Sequence, residues 1–167
     1  NFNGKKIGKS IKEDNCEKII DEIFETSKKN SCIITYPEDV MVGKHMEDIS
    51  KKKELNEITD DDIILDIGPR TTEKIKDIIE NSKTVLWNGP AGYFENPNFA
   101  NGSYEIAKTI VKKNKSKSIY SVVGGGDTIA VLNQTNTIED FNFVSTAGGA
   151  FLEYLEGKEL PGIKALR

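Results

Sequence analysis

Two rhythms of apolar residues alternate along this chain. Short unbroken runs such as "IILDIG", "TVLWNG", "SIYSVV" and "FNFVST" take turns with stretches in which an aliphatic or aromatic residue returns every three or four positions. The first kind reads as strands buried on both faces, the second as amphipathic helices. Residues 15–29, "NCEKIIDEIFETSKK", put Ile19, Ile20, Ile23 and Phe24 on one side of a helical period, with Asp14 or Asn15 as the cap. "CIITY" follows as a short buried strand, and "SKKKELNEITDDD" is charged enough to read as a solvated connection. From Asp62 onward the alternation is regular: helices are predicted over "TTEKIKDIIENS", "NGSYEIAKTIVKKN", "DTIAVLNQ" and "GGAFLEYLEG", the last stopping at Gly157, each following one of the four strands.

Strands alternating with helices predict an α/β fold, a Rossmann-like three-layer arrangement in which helices cover both faces of a mostly parallel sheet. In such sheets the binding crevice lies beyond the carboxyl ends of the strands. Four Gly-rich or Pro-rich pieces come directly after strands: "DIGP" at 66–69, "WNGPAG" at 87–92, "VGGGD" at 123–127 and "TAGGA" at 146–150. All four are therefore expected along one edge of the sheet.

Composition narrows the chemistry. The 167 residues suffice for one ordinary domain, and 37% hydrophobic with 30% charged content is globular. With 23 basic and 27 acidic residues the formal charge is -4, so the chain advertises no nucleic-acid surface. Cys16 and Cys32 lack metal-ligand spacing and are too few for a disulfide framework, and Cys32 within "SCIIT" reads as a buried apolar filler. His45 is the only histidine, which excludes a multi-histidine zinc site. No eighteen-residue apolar span and no signal-peptide pattern occur, so no membrane partner and a cytoplasmic location are expected. The absence of an initial Met suggests a fragment.

The chemistry-bearing residues sit in the strand-end loops. At "VVGGGDT" the absent Cβ atoms of Gly124, Gly125 and Gly126 let an anion approach, and the following helix offers free N–H groups and the positive end of its dipole. Asp127 repels a bare phosphate but becomes useful with a magnesium ion between them, and Thr128 can donate a hydrogen bond to an oxygen. A second reading keeps Asp127 as a helix cap and the glycines as a tight turn. The motif is neither a Walker pattern nor the dinucleotide fingerprint. In "WNGPAGYFENPNFANG", Asn88 can donate and accept, Pro90 stiffens the turn, Gly92 permits close packing and Glu95 suits vicinal sugar hydroxyls or is a solvated loop acid, while Trp87 reads as core. Gly148 and Gly149 present N–H groups for an anion or allow close helix–sheet packing.

Taken in order, "IGKS", "YPEDV", "LDIGP", "WNGPAGYFE", "VVGGGDT", "STAGGA" and "LEGKELPGI" resemble the carboxyl-terminal, nucleotide-binding part of phosphoglycerate kinase across nearly the whole chain. The resemblance implies a two-domain cytoplasmic enzyme of glycolysis, a monomer when intact, that transfers phosphate between 1,3-bisphosphoglycerate and ADP to give 3-phosphoglycerate and ATP. It implies that residues 1–167 are a partial nucleotide-binding domain, without the amino-terminal domain that binds the phosphoglycerate and without the lysine-bearing "GGAK" region. The intact chain is then expected to have about 400 residues, and the absent first strands should leave an apolar region of sheet exposed. By the same resemblance Asn88, Pro90, Gly92, Tyr93 and Glu95 surround the ribose and neighbouring phosphates, and Leu65 with Met46 serves the adenine. Asp127 meets the magnesium–nucleotide complex and Thr128 a phosphate, while Gly124 to Gly126, with Gly148 and Gly149, line the transferring group. Three positions depart from the family pattern: Ile64 stands for a glycine, Ala147 for a glycine and Phe151 for a serine. Ile64 would crowd the adenine side, and Ala147 is harmless only where its φ is negative. These departures and the absent half motivate the alternative of a noncatalytic nucleotide-binding or structural protein, and the fragment alone is expected to be inactive.

Overall fold

The computed structural model describes residues 4–167, which form two small sheets joined through helices. Helix α1 (Glu17–Lys29) comes first, then strands β1 (Asp39–Gly43), β2 (Lys51–Glu54) and β3 (Ile63–Ile67), helix α2 (Pro69–Glu80), strand β4 (Thr84–Asn88) and helix α3 (Asn101–Lys115). Strand β5 (Tyr120–Gly124), helix α4 (Gly126–Gln134), strand β6 (Phe143–Val144), helix α5 (Gly149–Leu155) and helix α6 (Pro161–Lys164) complete the chain. Strands β4, β5 and β6 form a parallel sheet in that order, while β2, β1 and β3 form an antiparallel one.

The α/β class and the parallel sheet agree with the sequence pattern, with differences that have physical causes. "IILDIG" is a strand but pairs antiparallel with β1, whose residues "DVMVG" alternate too little to announce themselves. The lysine run expected to be a solvated connection contains β2: its register places Lys53 beside Val40, and the Lys53 ammonium is used inside the fold. "CIITY" forms no strand, since no neighbouring strand offers it hydrogen bonds among the described residues, and Cys32 is exposed where burial was expected. The strand over "FNFVST" shortens to Phe143–Val144.

The main core lies on one face of the parallel sheet. Trp87 and Val123 point from β4 and β5 into a cluster with Ile106, Ala107 and Ile110 of α3 and Val131 and Leu132 of α4. On α3 these positions recur at helical spacing, and Ile110 is wholly buried. Consecutive strand residues face opposite ways, so Leu86, Val122 and Phe143, which stand in register across the three strands, form the other face. Among the described residues that face is largely open: Leu86 is 47% and Phe143 50% exposed. On α1, Ile19 and Ile23 are likewise exposed, while Ile20 and Phe24 are half-buried. Among the described residues this face of the parallel sheet therefore remains apolar and exposed at Leu86 and Phe143.

Helix α2 starts where it does because another strand caps it. Pro69 presets its first turn, and the buried Asp39 carboxylate of β1 accepts the backbone N–H groups of Arg70 at 3.1 Å and Thr71 at 2.8 Å. Helices α2 and α3 then pack together and bridge the two sheets.

Candidate functional site

The register of the parallel sheet sets Asn88, the last residue of β4, directly beside Gly124, the last residue of β5. Both strands stop there, and two of the expected loops begin side by side. The Gly89 N–H donates to Thr128 Oγ1 at 2.7 Å, fastening the "WNGP" turn to the first turn of α4. The Asn88 side chain lies over the glycine turn, with Oδ1 2.9 Å from where a Cβ on Gly125 would stand. Gly125 has φ of +88°, a conformation that only glycine adopts without strain, so a side chain here is excluded twice over. From the other side the Phe151 ring of α5 lies against Gly124, 2.8 Å from a Cβ built there. The third loop reaches the same place because the Ser145 N–H donates to the Val123 carbonyl at 2.8 Å.

Asp127 is exposed in the first turn of α4, and it does not cap the helix. Gly125 is the cap residue, and no side-chain cap bond is made. Among the described residues the Asp127 carboxylate has no hydrogen-bond or ion-pair partner, and the same holds for the exposed Glu95. These acids are left free for solvent or a ligand. A carboxylate beside open backbone N–H groups fits magnesium bound together with a polyphosphate, because that ion takes one or two protein oxygens and completes its shell from phosphates and water. No group of three or more metal-binding side chains gathers among the described residues, and Asp127 is the one carboxylate in this turn.

The segment carrying Tyr93 and Glu95 is anchored to the antiparallel sheet. The Tyr93 N–H donates to the Leu65 carbonyl at 2.7 Å, Asp66 Oδ2 accepts the Gly102 N–H at 2.9 Å, and Ser103 Oγ accepts the Ala91 N–H at 2.9 Å. Gly92 packs so close to Asp66 Oδ1 that a Cβ would collide with it. Asn96 Nδ2 donates to the Met46 carbonyl at 2.7 Å, which brings the exposed Met46 next to the Glu95 segment. "DIGP" joins the cluster through Leu65 and Asp66, although its strand belongs to the other sheet.

Several expected residues are placed differently from one another. Gly126, Asp127, Gly148 and Gly149 are exposed, Pro90 and Tyr93 are half-buried, and Thr128 is wholly buried with its oxygen engaged by Gly89. Leu65 is 7% exposed. Ile64, its neighbour in the strand, points to the opposite face and packs against the Val40, Val42 and Ile58 cluster, so it does not crowd Leu65. Non-glycine residues with positive φ are, among the described residues, Asn15, Ser31, Lys117 and Asn136; Ala147 is not one of them and is unstrained. Asp66 was overlooked in the sequence, where an acid inside an otherwise apolar strand was its signal. Burial pushes its carboxyl up to about 6, against the opposing pull of the Gly102 and Ile67 N–H groups.

Fold and site together define an α/β protein whose loops gather at the carboxyl ends of a short parallel sheet. The family model of phosphoglycerate kinase matches residues 1–158, and the chain belongs to the phosphoglycerate kinase family. It is 43% identical over 166 residues to phosphoglycerate kinase of Xanthobacter autotrophicus, covering 98% of this chain and 42% of that protein. The structure of phosphoglycerate kinase from Coxiella burnetii matches with a TM-score of 0.89 at 36% identity, covering 98% of this chain and 42% of that one. The Pyrococcus horikoshii enzyme matches with a TM-score of 0.70 at 29% identity, over 99% and 41%. The chain thus spans less than half the length of these relatives.

Proposed function

We propose that this chain forms the nucleotide side of a phosphoglycerate kinase, a phosphotransferase moving a phosphoryl group between 1,3-bisphosphoglycerate and ADP. The observation that carries the reading is the convergence of three strand ends on Gly124, with Asp127 free beside it. The phosphoglycerate would be held by residues outside this chain, and the enzyme would work in the cytoplasm, in glycolysis, as a monomer.

In this reading the backbone N–H groups of Gly125 and Gly126 and the start of α4 bind phosphate oxygens, with Gly148 and Gly149 opposite them. Tyr93, Pro90 and Glu95 hold the nucleoside, Glu95 by accepting from the ribose hydroxyls, while Leu65 and Met46 flank the base. Asp127 holds magnesium that arrives with the nucleotide and supplies charge neutralisation on the phosphates. Thr128 acts by tying Gly89 to α4, which fixes the relative position of the two loops. Nothing covalent is required of the protein: transfer needs alignment, stabilised charge and exclusion of water.

Phosphoglycerate kinase activity is tested by coupling ATP formation from ADP and 1,3-bisphosphoglycerate to a spectroscopic readout, on the intact protein. A folded intact protein without turnover overturns the reading. Asp127→Asn should lower kcat by about 100-fold while weakening nucleotide binding less. Unchanged kcat at saturating magnesium–nucleotide removes Asp127 from the site. The second reading, nucleotide binding without transfer, draws on the Phe151 ring that covers Gly124, and calorimetric binding of magnesium–ADP without turnover would support it.

A further inference from the structure

The segment from Gly92 to Gly102 leaves the parallel sheet, displays Tyr93 and Glu95, and returns into α3. Its two ends meet on one side chain. Asp66 Oδ2 accepts the N–H of Gly102 at 2.9 Å, at the start of α3, and Oδ1 accepts the Ile67 N–H at 2.8 Å while lying against Gly92. A Cβ on Gly102 would stand 2.5 Å from Oδ1, so both ends of the segment carry glycine where the carboxylate presses on them. Asp66 is 2% exposed, which makes this a rigid wedge rather than a solvated contact.

We propose that Asp66 is the positioning residue of the Tyr93–Glu95 segment, clamping both of its ends so that these two side chains meet the nucleotide in a fixed place. The proposal rests on the nucleotide role of that segment given above. Removing the clamp costs binding and leaves the phosphate loop alone, because Gly124 to Thr128 are held by the β4–β5 register and the Gly89–Thr128 bond. The carboxylate form accepts both N–H groups, whereas a protonated carboxyl spends one oxygen on its own proton. Burial, not a neighbouring charge, sets the proton affinity of Asp66: the two backbone N–H groups oppose it, and no ionised side chain among the described residues contributes.

Asp66→Asn and Gly102→Ala, made in the intact protein, test this from the two sides of the contact. Each should raise the KM for magnesium–ADP by about 10-fold with kcat within about twofold, and speed amide exchange about 10-fold over residues 92–102 without changing α4. An unchanged KM, or exchange accelerated evenly over the whole protein, overturns the proposal. If the parent transfers no phosphate, the proposed activity fails while the exchange measurement still decides the clamp. If neither variant folds, exchange in the parent decides it: amides of 92–102 protected as well as those of α3 support the clamp, and protection no greater than that of exposed loops overturns it.

Discussion

Two buried aspartates, one just before β3 and one within it, have carboxyls shifted in opposite directions. Asp62, just before β3, accepts from Lys53 Nζ and the Thr59 N–H at 2.6 Å each and from Thr59 Oγ1 at 2.8 Å. Burial alone would raise its carboxyl, but these donors outweigh it and bring it to about 2. Asp66, with backbone donors only, rises to about 6 from an ordinary value of 3.8. The signs of their stability contributions follow from which state binds more protons. Asp62 stabilises the fold above pH 4, and that contribution is lost as pH falls toward 2. Asp66 stays protonated in the folded chain while the unfolded chain ionises, so its effect is a loss of stability as pH rises from 4 to 6, constant above. The size is about 3 kcal/mol for Asp66. Urea unfolding from pH 4 to 7 should therefore show a downward slope that disappears in Asp66→Asn; an identical slope in both proteins would show that Asp66 does not titrate there.

At the scale of elements, the two sheets depend on contacts that cross between them. Helix α2 is capped from β1 by Asp39, and Thr71 returns a hydroxyl to the same carboxylate at 2.8 Å. Backbone donors and Arg70 hold the Asp39 carboxyl below its ordinary value despite its burial. Asp39→Ala leaves the Arg70 and Thr71 N–H groups without this acceptor and should destabilise the protein by about 2 kcal/mol. Arg70→Ala removes partly exposed ion pairs with Glu38 and Glu54, a bond to the Glu38 carbonyl and a charge near Asp39, and should cost under about 1 kcal/mol. Denaturant midpoints of the two variants check the ordering, and equal costs would mean that the cap does not hold α2. The sequence announced α2 through Pro69 and its helical period, but not the cap, because Asp39 lies thirty-two positions from Thr71.

At the scale of the whole molecule, apolar surface is left over. One face of the parallel sheet displays Leu86 and Phe143, and α1 displays Ile19 at 59% and Ile23 at 51% exposure. Patches of this kind bind partners or drive association. The isolated 167-residue chain should bind the dye ANS and elute above its monomer mass of 18.6 kDa. Leu86→Lys with Phe143→Lys should reduce both effects without lowering stability by more than about 1 kcal/mol. A monomer that binds no dye would mean that this surface is covered in solution by some other arrangement.

The sequence by itself determined what depends on neighbours in the chain. Periodicity placed α2, α3, α4 and β3 to β5, and glycine placement marked the turns at Gly89, Gly125 and Gly148, each of which has positive φ. The ordered motifs identified the family. Tertiary structure decided what depends on which segments meet. It made β3 antiparallel, drew a lysine run into a sheet and left "CIITY" without one, since backbone pairing needs a partner strand that local pattern does not name. It freed Asp127 from the cap by giving that position to Gly125, and it buried Thr128 beneath Gly89. It also set Asp66 between Gly92 and Gly102, residues twenty-six and thirty-six positions away, where the cost of burying a carboxylate and the two donors that offset it come from different elements.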